Sequence, residues 1–323
     1  MPSPEPATEP AAEKPAPPRT KVKERPGDRI FSRLSTGAGV LILAVLAGVA
    51  AFLLVEAWPA IIAPANEIPG GEGLVLYIWP LLFGTLLSAF FALLIAAPLA
   101  TSIALFITHY APRRLSQALG YVIDLLAAIP SIIYGLWGFF VLADATKGPT
   151  RWLAEHLGFI PLFAGPPSAT GRTMLVAIIV LAVMILPIIS AVVREAFRQT
   201  PRLHEEASLA LGATHWEMIR MAVLPFGRSA IVGASMLGLG RALGETMAVA
   251  IVLSVSGGVT FNLISSGNPS TIAANIALQF PESTGIDINA LIASGLVLFA
   301  VTLAVNMLAR AIINRRREFS GAN

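Results

Sequence analysis

The stretch RTMLVAIIVLAVMILPIISAVVR, residues 172–194, decides the fold, because no charged residue lies between its two terminal arginines. A helix needs about 20 consecutive apolar residues to cross the hydrocarbon core of a bilayer. In a soluble protein, a helix that is apolar on every side would have to be buried on every side. The sequence therefore predicts a membrane-spanning helix here.

The whole chain has the composition of a membrane protein. Of its 323 residues, 55% are hydrophobic and 13% are charged, and the mean hydropathy is +0.75. An average soluble domain has about 25% charged residues, so this chain has too little charged surface to cover an apolar interior in water. We expect an all-α polytopic membrane protein of about six transmembrane helices. The predicted spans cover residues 37–57, 79–108, 117–142, 172–194, 228–256 and 288–312.

Several function classes are excluded by composition. The chain has no cysteine and therefore no disulfide framework, thiol nucleophile or thiolate metal site. Its four histidines are scattered without the spacing of a metal site, so we expect no metal. The net charge of +3 is too small to indicate a nucleic-acid partner.

The distribution of the 22 Lys and Arg residues predicts the orientation. Most of them flank the spans on one side of the membrane, and only Lys147, Arg151 and Arg172 flank the other. Because basic residues concentrate on the cytoplasmic side, we expect both termini in the cytoplasm. Residues 1–28, rich in Pro, Ala and Glu, are predicted to form a disordered cytoplasmic tail, and residues 319–323 a short C-terminal tail.

The loop between the fourth and fifth spans reads TPRLHEEASLALGATHWEMIRMAVLP, residues 200–225. Thr200 is predicted to cap a first short helix with Pro201 at its first position, where the missing N–H costs nothing. Gly212 is suited to end that helix in a left-handed conformation. We expect two short helices that project from the membrane on the cytoplasmic side, with a glycine between them.

The second of these short helices has its own start and stop signals. Thr214 and Glu217 have the spacing of a capping box. Pro225 is expected to prevent this helix from continuing.

Residues 200–225 resemble the EAA loop of ABC importer permeases, whose pattern is E-A-A-x3-G-x9-I-x-L-P. The chain departs from this pattern at Ser208 and Ala222, and both changes are small. In that family the loop is the coupling helix, which docks into a groove of the cytoplasmic ATPase. The residues to which the resemblance assigns ATPase coupling are Glu206, Ala207, Gly212, Leu224 and Pro225.

Two charged residues, Arg241 and Glu245, lie near the middle of the fifth span, where a continuous helix would place them on one face. A charge at the bilayer centre costs about 2.5–3.5 kcal/mol on insertion scales and generally marks a transport path or an internal ion pair. An arginine has the fixed donors that a tetrahedral oxyanion needs, and Glu245 would neutralise it when no substrate is bound. Alternatively, the pair only braces the bundle. Gly240 and Gly244 are predicted to allow close approach of another helix or a substrate.

Two longer segments identify the family more closely. GLGRALGETMAVA at 238–250 and IDLLAAIPSIIYGLWG at 123–138 resemble the phosphate permeases of PstC type, and the resemblance covers about residues 29–318. It implies a permease domain with the MetI-like bundle of ABC importers in the bacterial inner membrane. It also implies that Arg241 and Glu245 take part in phosphate translocation.

The resemblance implies a hetero-oligomer. The expected partners are a second permease subunit of PstA type, an ATPase homodimer of PstB type and an extracytoplasmic phosphate-binding protein of PstS type, besides the lipid bilayer and inorganic phosphate. No G-x4-G-K-[ST] motif occurs in the chain, so ATP and Mg²⁺ are expected on the partner ATPase. We expect no catalytic site and no cofactor in this chain.

Three residues of the third span are candidates for gating: Asp124, Pro130 and Ser131. Pro130 is expected to bend the helix. Asp124 lies close to the cytoplasmic end, so its alternative role is contact with interfacial water. The outer segments 144–171 and 257–287 are read either as polar outer loops or as parts of the site.

Other functions fit the same features. The cargo of such an importer would alternatively be sulfate, molybdate or another oxyanion. A proton-coupled secondary transporter would use Glu245 as its proton relay, although the EAA loop argues against it. A membrane scaffold or signalling subunit would have no need for Arg241 in transport.

Overall fold

The computed structural model describes the backbone of residues 26–253 and 258–317. The chain divides into two compact units, residues 1–50 and 51–323. In the first unit, the described residues form the beginning of a helix that starts at Pro26, so the predicted disorder does not extend to residues 26–28. The rest of both predicted tails, residues 1–25 and 319–323, lies outside the described residues.

The described residues are mostly helical, as predicted. The first helices are α1 (Pro26–Ile62), α2 (Leu74–Leu105), α3 (Arg113–Ala127), α4 (Ser131–Trp137), α5 (Ala143–Ala145) and α6 (Lys147–Leu157). The remaining helices are α7 (Met174–Arg198), α8 (Arg202–Ala210), α9 (His215–Met218), α10 (Leu224–Leu243), α11 (Met247–Val252), α12 (Ile272–Gln279) and α13 (Ile286–Arg317). Five of the described helices are long and apolar enough to cross a membrane, and a bent pair makes a sixth.

Helix α7 is the most deeply buried of the long helices, and its packing against α2 forms the main core. The facing surface of α2 is a row of alanines four residues apart, from Ala92 through Ala96 and Ala100 to Ala104, and all of them are inaccessible. Residues at this spacing share one helix face, and small side chains allow two membrane helices to approach closely. Pro187 lies inside α7 without ending it.

The third predicted span, residues 117–142, is broken next to Pro130, where a bend in the helix was predicted. Helix α3 ends at Ala127, and the helix pair on either side of the break meets at 93°. Pro130 has extended backbone angles at the start of α4, because proline cannot supply the N–H that a continuous helix needs. The Tyr134 hydroxyl donates to the carbonyl oxygen of Leu126 at 2.8 Å, and the Ile129 N–H donates to the same oxygen at 3.3 Å, so this carbonyl at the end of α3 has two donors.

The fifth predicted span, residues 228–256, is also broken. Helix α10 ends at Leu243, and after Gly244 the chain turns into the short helix α11. Glycine is the poorest helix former after proline, and such breaks are tolerated where the backbone is buried in protein. Residues 254–256 of this predicted span lie outside the described residues.

Helix α11 has a charged side chain at each end. The Ala248 N–H donates to Oε1 of Glu245 at 3.2 Å, and the Glu245 side chain is buried. Arg172 donates from Nη2 to the carbonyl oxygens of Ile251 and Leu253 at 3.2 and 3.0 Å. An anion at the N-terminus and a cation at the C-terminus both complement the helix dipole. These contacts replace the hydrogen bonds that a continuous helix would have made.

The two broken spans pack against each other through α4 and α11. A Cβ atom added at Gly135 would lie 2.7 Å from the Cα atom of Ala248, which is closer than such atoms normally approach. Only a glycine at position 135 therefore permits this contact.

The described part of the outer segment after α11 folds back against α2. The backbone N–H of Ile272 donates to the Thr85 hydroxyl of α2 at 2.9 Å. Asn268, Ser270 and Thr271 are buried. The earlier outer segment, residues 144–171, contains helix α6, where Trp152 is exposed.

Removal of the Glu245 carboxyl should destabilise the protein through the loss of a helix cap. We expect Glu245→Ala to lower the free energy of unfolding by about 1 kcal/mol, whereas Glu245→Gln keeps an acceptor oxygen and should lose less. Thermal unfolding of both full-length variants in detergent measures this difference. Equal melting temperatures for the two variants would contradict the capping role.

A methyl group at position 135 should push α4 away from α11. We expect Gly135→Ala to destabilise by about 1–3 kcal/mol, the usual cost of overpacking. The matched control is Gly148→Ala, since Gly148 is also helical but has nothing within 4 Å of an added Cβ. In detergent, Gly135→Ala should have a lower melting temperature than Gly148→Ala. An unchanged melting temperature for Gly135→Ala would show that α4 and α11 can move apart at little cost.

Candidate functional site

Arg241 lies in the last turn of α10 and faces a cavity of about 710 Å³. Its side chain is exposed, and no described residue forms a hydrogen bond or an ion pair with it. The cavity lies between α7, α10 and α13. Its lining residues are Ile188, Gly233, Met236, Leu237, Gly240, Arg241, Asn306, Ala309 and Arg310.

Glu245 does not share a helix face with Arg241, which corrects the sequence-based prediction. The prediction assumed a continuous helix, but α10 ends at Leu243 and Glu245 lies in the turn that follows. Among the described ion pairs, none joins the two residues. Glu245 is instead directed to the N-terminus of α11. The structure thus separates a cation that faces the cavity from a carboxylate that holds the backbone.

Sequence reasoning missed Tyr134, which lies beside the break between α3 and α4. Its side chain is buried, its hydroxyl bonds to Leu126, and it lies within electrostatic range of the Arg241 guanidinium. A tyrosine four residues after a proline in an apolar span is the signal that was available, because a buried hydroxyl needs a partner.

Within the described residues, no other helix approaches Gly240 or Gly244 closely, and the predicted approach of a substrate stays a prediction. An added Cβ at Gly240 would meet nothing within 4 Å, because this residue faces the cavity. Gly244 would meet only the carbonyl oxygen of Gly240 at 3.7 Å. Close approach occurs at Gly238 instead, where an added Cβ would lie 2.7 Å from the Ile189 side chain. The glycines of α10 therefore serve two purposes, helix packing at 238 and open space at 240.

Asp124 forms an ion pair that joins α3 to α7. Arg194 donates from Nη2 to Oδ1 and Oδ2 of Asp124 at 2.9 and 3.2 Å. Arg194 is only 9% exposed, so it lies within the helix bundle and not in the loop that follows α7. Gly120 leaves room for this guanidinium, since an added Cβ would lie 2.7 Å from its Nη1. Ser131 is the first residue of α4, next to the break at Pro130.

The first short helix of the loop, α8, ends in the predicted way. Gly212 has φ +86°, its N–H donates to Leu209 O, and the N–H of Ala213 donates to Ser208 O. This pair of bonds is a Schellman motif, in which a left-handed glycine satisfies the last carbonyls of a helix. The predicted cap at Thr200 is wrong, because α8 begins one residue later, after an extended Pro201, and the Thr200 hydroxyl has no described partner.

The second short helix does not stop at Pro225. The predicted capping box is present, with the Thr214 N–H donating to Glu217 at 2.8 Å and the Glu217 N–H donating to the Thr214 hydroxyl at 3.3 Å. Helix α9 then continues through a π turn, Ile219–Val223, into α10. The wider π turn accommodates the proline that would clash in a regular helix. The chain from His215 to Leu243 is therefore one helix of 29 residues.

Helix α8 has no buried residue, although it carries large apolar side chains. Leu203 is 78% exposed and Leu211 is 90% exposed. Glu206 and Ala207 are exposed beside them, as are Gly212 and Pro225, whereas Leu224 is half-buried. Exposed leucines of this kind on one short helix mark a surface suited to a protein partner.

One side-chain contact ties α8 to the rest of the molecule. Nε2 of His109, at the end of the π turn that follows α2, lies 3.5 Å from Oε1 of Glu205. His109 also packs edge-to-face on Phe197 of α7 with 6.4 Å between ring centroids. The loop is thus anchored to α2 and α7 while its outer surface stays exposed.

Comparison with known proteins supports this architecture. The phosphate transport system permease protein PstC 2 of Mycobacterium tuberculosis is 47% identical over 300 residues, 89% of this chain and 92% of that protein. The phosphate transport system permease protein PstC of Mesorhizobium japonicum is 37% identical over 313 residues, 91% of this chain and 92% of that protein.

Solved structures show the same fold. A chain of a bacterial alginate ABC transporter, in complex with an alginate pentasaccharide-bound periplasmic protein, matches with a TM-score of 0.58 at 17% identity. The match covers 93% of this chain and 100% of that chain, which confirms the predicted fold of an ABC transporter permease. Residues 96–318 match the family described as binding-protein-dependent transport system inner membrane component. The chain belongs to this family of transporter permeases.

Proposed function

We propose that this chain is a permease subunit of an ATP-driven importer of inorganic phosphate in a bacterial cytoplasmic membrane. The observation that carries the proposal is Arg241, an exposed guanidinium in a cavity between membrane helices, for which the part of the chain that the structure describes has no ion-pair partner. An unpaired arginine in such a place needs an anion, and its planar donors suit a tetrahedral oxyanion. The identity of 47% to a phosphate transport system permease supports phosphate as that anion.

The complete importer would contain further chains. We expect a second permease subunit of PstA type, two ATPase subunits of PstB type that bind ATP and Mg²⁺, and a phosphate-binding protein of PstS type. The excess of basic residues on the side of the α8 loop supports a cytoplasmic position for this loop and for both termini. The binding protein would then deliver phosphate from the opposite side.

Coupling to ATP hydrolysis would run through α8 and the helix that follows. The exposed leucines and Glu206 would seat α8 in a groove of the ATPase. Because α9 and α10 form one helix, about 40 Å long at 1.5 Å per residue, a movement of the loop is transmitted to Arg241 at its other end. Alternating access needs a rigid element of this kind between the two sites.

Loss of the Arg241 guanidinium should abolish phosphate uptake. Arg241→Gln keeps a polar side chain but removes the charge that attracts the anion, so uptake should fall to background. The measurement is labelled-phosphate uptake in cells that lack their own phosphate permease and are supplied with this chain and its partner subunits.

The matched control for this test is Arg228→Gln, which removes one exposed cation from α10 outside the cavity lining. It should transport normally. Excess sulfate or molybdate should not compete in the wild type, and competition by either would assign the cargo to that oxyanion. Normal uptake by Arg241→Gln at wild-type membrane levels would leave Arg241 without a role in transport.

Two changes in the loop should uncouple transport and leave membrane insertion intact. Gly212→Pro is incompatible with φ +86° and breaks the Schellman motif. Glu206→Lys reverses the charge of the exposed surface that would meet the ATPase. We expect both variants to lose uptake while they accumulate in the membrane as the wild type does.

The control for the charge reversal is Glu195→Lys, which makes the same change at an exposed position of α7 before the loop. Co-purification of the ATPase should be weakened by Glu206→Lys and unchanged by Glu195→Lys. Wild-type uptake in both loop variants would remove α8 as the coupling element.

A further inference from the structure

The cavity that Arg241 faces contains a second arginine. Arg310 and Asn306 lie one helical turn apart on α13, so both side chains are on the same face of that helix. Both residues are exposed, and no described residue forms an ion pair with Arg310. Arg310 lies near the end of the last predicted span, residues 288–312.

Among the described residues, the charge of this cavity is uncompensated. The described lining contains two guanidinium groups and no carboxylate, and most of its other residues are apolar. Two like charges beside apolar walls repel each other, and the low polarity of the surroundings strengthens that repulsion. An oxyanion with two negative charges would relieve it, since each guanidinium donates in a fork that matches two oxygens.

The cavity extends along α10 from Arg241 toward the end of the helix that is joined to the α8 loop. The lining residues Gly233, Leu237 and Arg241 recur every four positions and form one face. At 1.5 Å per residue, this face covers about 12 Å of the helix axis. An added Cβ at Gly233 or Gly240 would meet nothing within 4 Å, so the glycines leave this length open. The space is long enough for an anion to have more than one position within it.

We infer that Arg310 and Asn306 form, together with Arg241, an anion-binding site for the phosphate that passes through this cavity. This inference rests on the proposed function for the identity of the anion. Arg310 binds phosphate by its guanidinium, and Asn306 donates from its amide. The headgroup of an anionic lipid has the same phosphate chemistry, so the experiment must distinguish it from the transported anion.

A single cysteine in the cavity can report its charge without any measurement of transport. The chain has no native cysteine, so Gly233→Cys places one thiol in the open part of the lining. The assembled transporter, with partner subunits that lack cysteine, is treated with methanethiosulfonate reagents carrying either a sulfonate or a trimethylammonium group. The ratio of the two modification rates measures the local potential.

We expect the anionic reagent to be favoured, and Arg310→Gln to reduce that preference several-fold. The matched control, Arg228→Gln, should leave the ratio unchanged. Inorganic phosphate should slow modification when Arg310 is present and do so much less in Arg310→Gln. Asn306→Leu should weaken this protection by phosphate while it leaves the rate ratio close to that of Gly233→Cys alone, because it removes a donor and no charge.

Two results would overturn the inference. Equal rate ratios for Arg310→Gln and Arg228→Gln would show that Arg310 does not act on the cavity. Protection by vesicles with an anionic phospholipid, but none by inorganic phosphate, would assign the site to a lipid headgroup. Phosphate uptake by the wild type is measured in parallel, so that a failure of the proposed cargo is distinguished from a failure of the Arg310 site.

Discussion

The capping of the interrupted helices is the interaction on which the site depends. A backbone N–H or C=O left unsatisfied in a bilayer costs several kcal/mol, so a break is stable only where protein groups replace the missing bonds. Three side chains do this here: Tyr134 bonds the end of α3, and Glu245 and Arg172 bond the two ends of α11. Arg241 lies immediately before one of these breaks. Its direction toward the cavity therefore depends on polar groups that need not touch a substrate.

A rigid framework surrounds these breaks. The alanine row of α2 allows it to lie close against α7, and Asp124 and Arg194 join α7 to α3. The short helices and turns are thus supported by long, buried helices. The helix from His215 to Leu243 belongs to both parts, because it begins in the exposed loop and ends at the cavity. This continuity gives a physical route from a partner at the loop to an anion in the membrane.

Local signals predicted the local structure well, and the continuity of helices poorly. The Schellman motif at Gly212 and the capping box at Thr214 depend on residues within one turn, and both are present. A proline in the sequence does not by itself predict a helix break, since Pro98 and Pro187 lie inside continuous helices whereas Pro130 lies at a break. Neighbouring helices decide whether the freed carbonyls find partners, and one sequence does not contain that information. The cavity was missed for the same reason, because α13 and α10 meet only in the folded chain.

The π turn between α9 and α10 affects the direction in which Arg241 points around the axis of α10. Such a turn holds one more residue than a regular helical turn, so it acts as an inserted residue within the helix. One residue corresponds to a rotation of about 100° in a regular α-helix. The turn at Ile219–Val223 therefore sets the phase between the exposed loop and the face of α10 that carries Arg241. Without this extra residue, the same helix would aim the guanidinium at a different neighbour.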